Sequence, residues 1–314
     1  MDRTDVNWRG YWPAAPTPFD ADGAFDAAAF EELLGLYADQ GVHGVLVNGS
    51  TGEWFSQSRA ERERVAATAV AAVAGRYPVV VGVTAYTPAE AADLARHAAA
   101  VGADGVLATP PPYVHPRSEE ILAFYTAVAS ATDLPFMVYN WPRGVAVDMA
   151  ADQDLVRRLC DLPTVAAFKD STGDWLRMLA TVESVGDRVR VFGSFLHRRG
   201  LAVLRGLGGD GNIDGGGLGA PFAVPAYEAV HAGDAAQAVA WIDRYTALSS
   251  ALVTPDYSGR IASPISQLKA AMALLGQPGG TVRPPLLPVT GPADLERLRA
   301  ALDAAGLEPA GGAR

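Results

Sequence analysis

Short β-branched runs alternate with alanine- and leucine-rich stretches about eight times along this chain, and no other feature constrains its fold as strongly. The runs cover residues 12–15, 44–48, 79–83, 105–109, 136–140, 165–169, 189–193 and 211–214, and the stretches between them lie near 26–40, 58–75, 88–101, 118–131, 149–160, 174–185, 195–206 and 221–231. Short apolar runs bounded by turn signals read as buried strands, and the longer segments with helical spacing read as helices. A weak glycine repeat marks three of the joints: Gly41-Val42-His43-Gly44, Gly102-Ala103-Asp104-Gly105 and Gly208-Gly209-Asp210-Gly211 each end a helix and open a strand. Glycine suits the left-handed position that follows a helix C-terminus.

Eight such units over about 220 residues fit an α/β fold of the (β/α)8 TIM-barrel type better than an open doubly wound sheet. The open sheet calls for a glycine-rich turn after its first strand, and here that turn is Pro16-Thr17-Pro18-Phe19. Beyond residue 226 the alternation stops. Helices are predicted at 226–252, 263–275 and 292–305, joined by loops such as Gly276-Gln277-Pro278-Gly279-Gly280. The reading is a barrel over 1–225 with a C-terminal helical region over 226–314, whose small, polar tail from Glu308 to Arg314 is expected to be disordered.

Composition narrows the function. The chain of 314 residues is 49% apolar and carries a net charge of −10, with no basic cluster dense enough to follow a phosphate backbone, so nucleic acid is not an expected partner. Met1-Asp2-Arg3-Thr4-Asp5 lacks a signal-peptide pattern and no apolar run approaches membrane-spanning length; the expectation is a cytoplasmic protein without membrane contact. The single Cys160 rules out an internal disulfide, and the five histidines (His43, His97, His115, His197, His231) form no metal-binding pair on a helix. No metal and no cofactor are expected.

Lysine is almost absent. Of 25 basic residues only Lys169 and Lys269 are lysine, which leaves 25 − 2 = 23 arginines. Lys169 closes the apolar run Val165-Ala166-Ala167-Phe168 and precedes Asp170-Ser171-Thr172-Gly173-Asp174, a strand end running into a helix start. Guanidinium stays protonated and cannot add to a carbonyl, whereas a desolvated amine can lose its proton and form a Schiff base. An ordinary lysine of pKa about 10.4 is neutral about once in 2,500 at pH 7; one lowered to about 7.5 is neutral about a quarter of the time. A lysine snorkelling to solvent from a strand end is the other reading of the same residues. Lys269, in Ser266-Gln267-Leu268-Lys269-Ala270, lacks the strand-end setting and reads as structural.

In a (β/α)8 barrel the chemistry gathers at the C-terminal strand ends. Strand 2 is followed by Asn48-Gly49-Ser50-Thr51-Gly52-Glu53, whose hydroxyls and glycine-exposed amides suit a carboxylate, though the same residues can be an N-capping turn. Strand 4 runs into Thr109-Pro110-Pro111-Pro112-Tyr113, which on its own reads as packing. Strand 5 ends in Tyr139-Asn140-Trp141-Pro142, one strand before Lys169, so that a phenol and an amine become neighbours; a phenol can pass protons to and from an imine.

These pieces resemble the dihydrodipicolinate synthase and N-acetylneuraminate lyase family of pyruvate-type class I aldolases. The resemblance runs from about Gly10 to about residue 305 and rests on Ala15-Pro16-Thr17-Pro18-Phe19, Gly49-Ser50-Thr51-Gly52-Glu53, the proline-rich stretch ending in Tyr113, Tyr139-Asn140-x-Pro142, Phe168-Lys169-Asp170, Gly208-Gly209-Asp210-Gly211 and Val282-Arg283-Pro284-Pro285-Leu286. It implies a lyase with Lys169 as Schiff-base lysine and Tyr139 as acid/base. Ser50, where many members have Thr, would relay protons between Tyr139 and a Tyr113 reaching in from a neighbouring subunit. It further implies that Ser50 and Thr51 hold the carboxylate of a small 2-oxo acid that reacts with an aldehyde, and that the assembly is a homotetramer built as a dimer of dimers; Gly52, Ile213, Asp214 and Arg143 are the further substrate-binding candidates.

The pattern departs at one informative place. Dihydrodipicolinate synthases carry an Arg two residues after the Pro of Tyr-Asn-x-Pro; here Gly144 stands there and Arg143 is one residue early. The expectation is a lyase that is not a true dihydrodipicolinate synthase. The loops around Ser50 and Lys169 look closer to sugar-acid members such as 5-dehydro-4-deoxyglucarate dehydratase. Asp214 stands where relatives often carry a small residue; it suits a hydroxyl or ammonium group of the acceptor, or is a turn residue before Gly215-Gly216-Gly217. Trp54 and Trp141 either pack or shape an apolar acceptor pocket. Two other classes compete: a non-catalytic 2-oxo acid binder, which borohydride trapping discriminates, and a nicotinamide enzyme using Gly215-x-Gly217-x-Gly219, a poor match to the dinucleotide fingerprint.

Overall fold

In the computed structural model, which describes residues 1–308, eight parallel strands close into one barrel in sequence order. They are β1 (Gly10–Ala14), β2 (Val45–Val47), β3 (Val79–Gly82), β4 (Gly105–Ala108), β5 (Phe136–Asn140), β6 (Val165–Asp170), β7 (Arg190–Phe192) and β8 (Gly209–Gly215). β1 closes the circle on β8, with Gly10 opposite Gly211 and Ala14 opposite Gly215. The expected (β/α)8 barrel is what the chain forms. Of the tail predicted to be disordered, residues 309–314 lie outside the described residues.

The surrounding helices are α1 (Ala27–Asp39), α2 (Arg59–Val73), α3 (Pro88–Ala100), α4 (Ser118–Ala129), α5 (Pro142–Val145), α6 (Gln153–Cys160), α7 (Trp175–Val185), α8 (Gly200–Ala202) and α9 (Ala220–His231); beyond them come α10 (Ala235–Leu252), α11 (Pro264–Leu274) and α12 (Pro292–Ala305). Their starts are written locally. Ser58 accepts from the Glu61 amide while the Glu61 carboxylate returns to the Ser58 amide, a capping box that begins α2.

Three predicted helices differ from the observed ones. The segment 149–160 is a 3-10 turn, Met149–Ala151, followed by α6, because Asp152 stops the turn and caps Leu155. The segment 195–206 folds back on itself first: a Cβ on Gly200 would lie 2.1 Å from the Phe195 carbonyl, so α8 starts late and widens into a π turn over Val203–Leu207. The segment 226–252 is broken at Gly233, which is left-handed (φ 78°), and Asp234 then caps a new helix at Gln237. Residue 226 therefore lies inside α9, the eighth barrel helix, which packs against β1.

Both faces of the sheet are covered, so the strands are buried along their length. One cluster fills the barrel interior with Trp8, Trp12, Leu46, Val80, Leu107, Met137, Ala167, Phe192 and Ile213. A second, containing Val45, Val47, Val79, Val81, Val138 and Phe168, meets the helices and continues into Leu248, Leu268, Met272 and Leu298 of the C-terminal region. At the N-terminal end Trp12 meets Trp8 and Phe192 edge-on at 5.8 and 5.3 Å. The second glycine of the repeat makes room for them: a Cβ on Gly44 would stand 2.3 Å from the Trp12 ring, and one on Gly105 2.5 Å from Trp8. Gly41 and Gly102, the first glycines, take the left-handed conformation after α1 and α3 (φ 72° and 85°).

One irregularity positions the site. Phe136 pairs with Val165 but Met137 pairs with Ala167, so Ala166 is an extra residue in β6. Ala166 and Ala167 both face the interior cluster, Phe168 faces the helices, and Lys169 turns inward again opposite Tyr139. Among the described residues no helix is long and apolar enough to cross a membrane.

Candidate active site

Lys169 emerges from the top of the apolar barrel interior and is 6% exposed. Its Nζ lies 4.0 Å from the centroid of the Tyr139 ring, on the neighbouring strand. Burial lowers its pKa to about 7, against an opposing pull from Asp214 that favours the ammonium. A large share of the amine is therefore neutral near pH 7, the form that adds to a carbonyl. Burial pushes the Tyr139 phenol well above its ordinary range, with the Ser171 hydroxyl opposing the rise, so it keeps its proton at neutral pH and can donate it.

Behind this pair the next residues on the two strands lock the register. Asn140 and Asp170 are opposite each other, and the Asn140 amide donates from Nδ2 to Asp170 Oδ1 at 2.9 Å and to Asp148 Oδ1 at 2.8 Å. Thr172 donates its backbone N–H to the same Asp170 oxygen, and Arg177 and Thr172 hold Asp148. Burial raises Asp170 to about 6, partly offset by these donors.

Lys169, Tyr139, Ser50, Thr51, Ile213, Asp214 and Arg143 line one cavity of about 720 Å³. Seven of the predicted site residues are thus brought together. Gly52 is not on that wall; it is buried, and its carbonyl accepts from Thr17 Oγ1 at 2.8 Å and Gln57 Nε2 at 2.6 Å, which shapes the loop carrying Ser50 and Thr51. Both ends of the loop are left-handed, at Asn48 (φ 54°) and Glu53 (φ 56°).

Lys269 anchors the same loop from behind, from a helix position as buried as the strand end of Lys169. It is 3% exposed and gives all three donors to Glu53 Oε1 (2.6 Å), Thr17 O (2.7 Å) and Thr281 O (2.6 Å). Burial lowers its pKa, and Glu53 opposes that. Both lysines are buried; what separates them is that Lys269 is paired and Lys169 faces a cavity. Its structural role stands.

The sequence match agrees with the geometry, for the dihydrodipicolinate synthetase family model covers residues 7–305. The chain belongs to that family. An uncharacterized DapA-like lyase of Rhizobium meliloti is 37% identical over 296 residues, covering 91% of this chain and 92% of that protein. A 4-hydroxy-tetrahydrodipicolinate synthase of Gluconacetobacter diazotrophicus is 33% identical, covering 96% and 98%. Among solved structures, dihydrodipicolinate synthase DapA-2 of Bacillus anthracis superposes with a TM-score of 0.85 at 26% identity, covering 95% of this chain and 99% of that one. The chloride-inhibited enzyme of Acinetobacter baumannii complexed with pyruvate gives 0.83 at 28%, covering 95% and 99%. The protein is accordingly a lyase of this family.

Against that family background the departures acquire physical causes. Gly144, at the place of the expected Arg, lies under Trp141: a Cβ there would be 2.3 Å from the indole. Trp141 itself stacks on Tyr139 at 5.9 Å and 21°, lining the cavity. Arg143 donates to the Tyr257 carbonyl and, at 3.3 Å, to Ser258 Oγ, so its guanidinium is engaged with the loop between α10 and α11. Trp54 does not line the cavity. It packs against Tyr86 and under the Arg62 guanidinium, so its part in an acceptor pocket is withdrawn.

Tyr113 is 88% exposed, left-handed (φ 77°), and outside the cavity of its own chain. Among the described residues no hydrogen bond joins Ser50 to Tyr139, and the hydroxyl acting on the phenol is that of Ser171. Tyr245 of α10 and Tyr257 of the following loop also reach the cavity, the latter bonding Ser194 at 2.8 Å and meeting Trp141 edge-on at 5.6 Å. Both come from the helical region, where neither spacing nor motif set them apart. Among the described residues one cluster has metal-ligand character, His43, Glu228 and His231. The Tyr11 amide donates to His43 Nδ1, which leaves the proton on Nε2 to bond Glu228; that histidine serves the hydrogen bond instead of presenting a lone pair.

Proposed function

We propose that the protein forms a Schiff base between Lys169 and pyruvate or a larger 2-oxo acid, makes or breaks a bond at the adjacent carbons, and is not a true dihydrodipicolinate synthase. The observation that carries this reading is a buried, cavity-facing amine of pKa about 7 set against the Tyr139 ring. The neutral Lys169 adds to the keto carbon, and the Ser50-Thr51 loop holds the carboxylate through its amides and hydroxyls. Tyr139 passes protons at the imine and the neighbouring carbon, with Ser171 and Ser50 as the hydroxyls at hand. Ile213 supplies an apolar wall; Arg143 and Asp214 face the acceptor side. In a homotetramer, Tyr113 of a neighbouring copy would complete the relay.

Pyruvate fills only a fraction of the cavity. Its wall also carries Ser194, Thr246, Ser249 and Tyr257, hydroxyl groups that suit a hydroxylated substrate. This supports the second reading, a sugar-acid dehydratase resembling 5-dehydro-4-deoxyglucarate dehydratase, in which the 2-oxo acid is itself the larger substrate. The deciding experiment is borohydride reduction with pyruvate and with sugar-derived 2-oxo acids, followed by peptide mass spectrometry. The expected result is a covalent adduct on Lys169 alone. Tight 2-oxo acid binding with no adduct would establish the non-catalytic binder instead.

A further inference from the structure

The loop between α10 and α11 reaches the barrel mouth as a hairpin: Val253 pairs with Gly259 to close it, and Tyr257, left-handed at φ 62°, stands in its turn. The turn is held from both sides of β6. On the β5 side the Tyr257 ring meets Trp141 edge-on at 5.6 Å, and Arg143 donates to the Tyr257 carbonyl and to Ser258 Oγ. On the β7 side the Tyr257 hydroxyl bonds Ser194 Oγ at 2.8 Å. Since β6 lies between β5 and β7, Tyr257 spans the end of the strand that carries Lys169.

Tyr257 and Ser194 both line the cavity, and among the described residues neither hydroxyl has a second hydrogen-bond partner. Two hydroxyls that share one hydrogen bond spend one hydrogen and keep the other, together with unused lone pairs on both oxygens. Burial raises the Tyr257 pKa, so the phenol keeps its proton at neutral pH. The pair therefore offers the cavity a donor and an acceptor side by side. A hydroxyl group answers both; a carboxylate answers only the donor, and a carbon chain neither.

Resting on the Schiff-base reading of Lys169, we propose that Tyr257 and Ser194 are specificity-determining residues, which bind a hydroxyl on the chain of a polyhydroxylated 2-oxo acid held at Lys169. The keto carbon of such a substrate has three substituents. One is the Lys169 nitrogen and one is the carboxylate held by the Ser50-Thr51 loop, so the remaining chain leaves toward the rest of the cavity, where the hairpin turn stands. There a substrate hydroxyl donates to one oxygen of the pair and accepts from the other. The Tyr257 ring, backed by Trp141, meets the carbon skeleton. No bond is made or broken at the pair.

The test compares two 2-oxo acids of equal chain length, 2-oxohexanoate and the sugar-derived six-carbon acid that carries hydroxyls on its last three carbons. Each is titrated against the protein in the presence of borohydride, and intact mass follows the adduct and separates the whole acid from any cleaved product. The readout is the ratio of the two half-saturating concentrations, because a general disturbance of the cavity moves both together. Tyr257→Phe keeps the ring against Trp141 and removes one hydroxyl; Ser194→Ala removes the other. Each should lower the preference for the hydroxylated acid by about 3- to 10-fold relative to wild type, the size of one hydrogen bond between neutral groups. Tyr257→Phe decides alone if Ser194→Ala does not fold. An unchanged ratio in a folded variant, or a wild-type protein that traps pyruvate but not the hydroxylated acid, overturns the proposal and leaves the Schiff base intact. No adduct with any 2-oxo acid in the wild-type protein overturns both.

Discussion

Tyr139 and Lys169 are register partners on β5 and β6, and the amine of one lies 4.0 Å from the ring centroid of the other. That pairing places a proton donor of high pKa beside a nucleophile of low pKa, both perturbed by the same burial. A charged Lys169 sits over the ring face, and a neutral one is free to attack.

Tyr139→Phe keeps the ring under the amine and removes only the hydroxyl. Turnover should fall by about 10²–10⁴-fold. Borohydride adducts with pyruvate should still form on Lys169, since the nucleophile and its burial are untouched; loss of the adduct together with turnover would assign the phenol to imine formation itself.

The two lysines should respond to the same substitution with opposite signs. Lys169 has a folded pKa near 7 against an unfolded value near 10.5, so between these the unfolded chain binds more protons and stability rises with pH, the cost being full below about 7. Lys169→Met should therefore stabilise the protein at pH 7, by on the order of 3 kcal/mol, and by less at pH 10. Lys269→Met leaves the Glu53 carboxylate buried without its cation and should destabilise by about 3–5 kcal/mol. Denaturant melts at the two pH values check both; destabilisation by Lys169→Met would mean that the amine is charged and paired in the folded protein.

With Trp141 over Gly144 and Arg143 turned to Tyr257, a carboxylate arriving on the acceptor side loses a charge-assisted contact worth about 1.5–3 kcal/mol, roughly a 10- to 150-fold preference. Aspartate semialdehyde should be a poor acceptor, and neutral hydroxylated aldehydes or sugar-derived 2-oxo acids should have the higher kcat/KM. Gly144→Arg alone should fail for want of space, whereas Trp141→Ala with Gly144→Arg should gain on aspartate semialdehyde. A wild-type protein that prefers aspartate semialdehyde would show that Arg143 swings free of its loop and supplies the contact.

Tyr113, exposed in its own chain, tests the assembly. Mixed oligomers of Tyr113→Phe and Lys169→Ala subunits should recover part of the activity that each lacks, because an intact lysine site can borrow an intact tyrosine. Absence of recovery, with subunit exchange shown by mass, would confine Tyr113 to packing.

Much of this was legible before any coordinates, for local reasons. Eight alternations of strand and helix admit few closed architectures, and the glycines at their joints carry their own backbone requirement. A lone amine at the end of a buried run, in a chain that otherwise uses arginine, marks Lys169 by chemistry alone. Tyr139 one strand earlier follows from the order of strands in a barrel.

What the tertiary structure decided depends on residues distant in sequence meeting in space. The extra residue at Ala166 sets the phase that turns Lys169 inward opposite Tyr139, and an apolar run of alanines carries no trace of it. Lys269 reads as an ordinary helix residue until Glu53, Thr17 and Thr281 converge on it. Trp141 explains Gly144, yet only because the indole folds back over its own turn. Tyr245 and Tyr257 enter the cavity from the helical region because those helices share one continuous core with the barrel. Backbone propensity and side-chain chemistry are properties of a short stretch of chain, whereas burial, register and charge pairing belong to the packed whole.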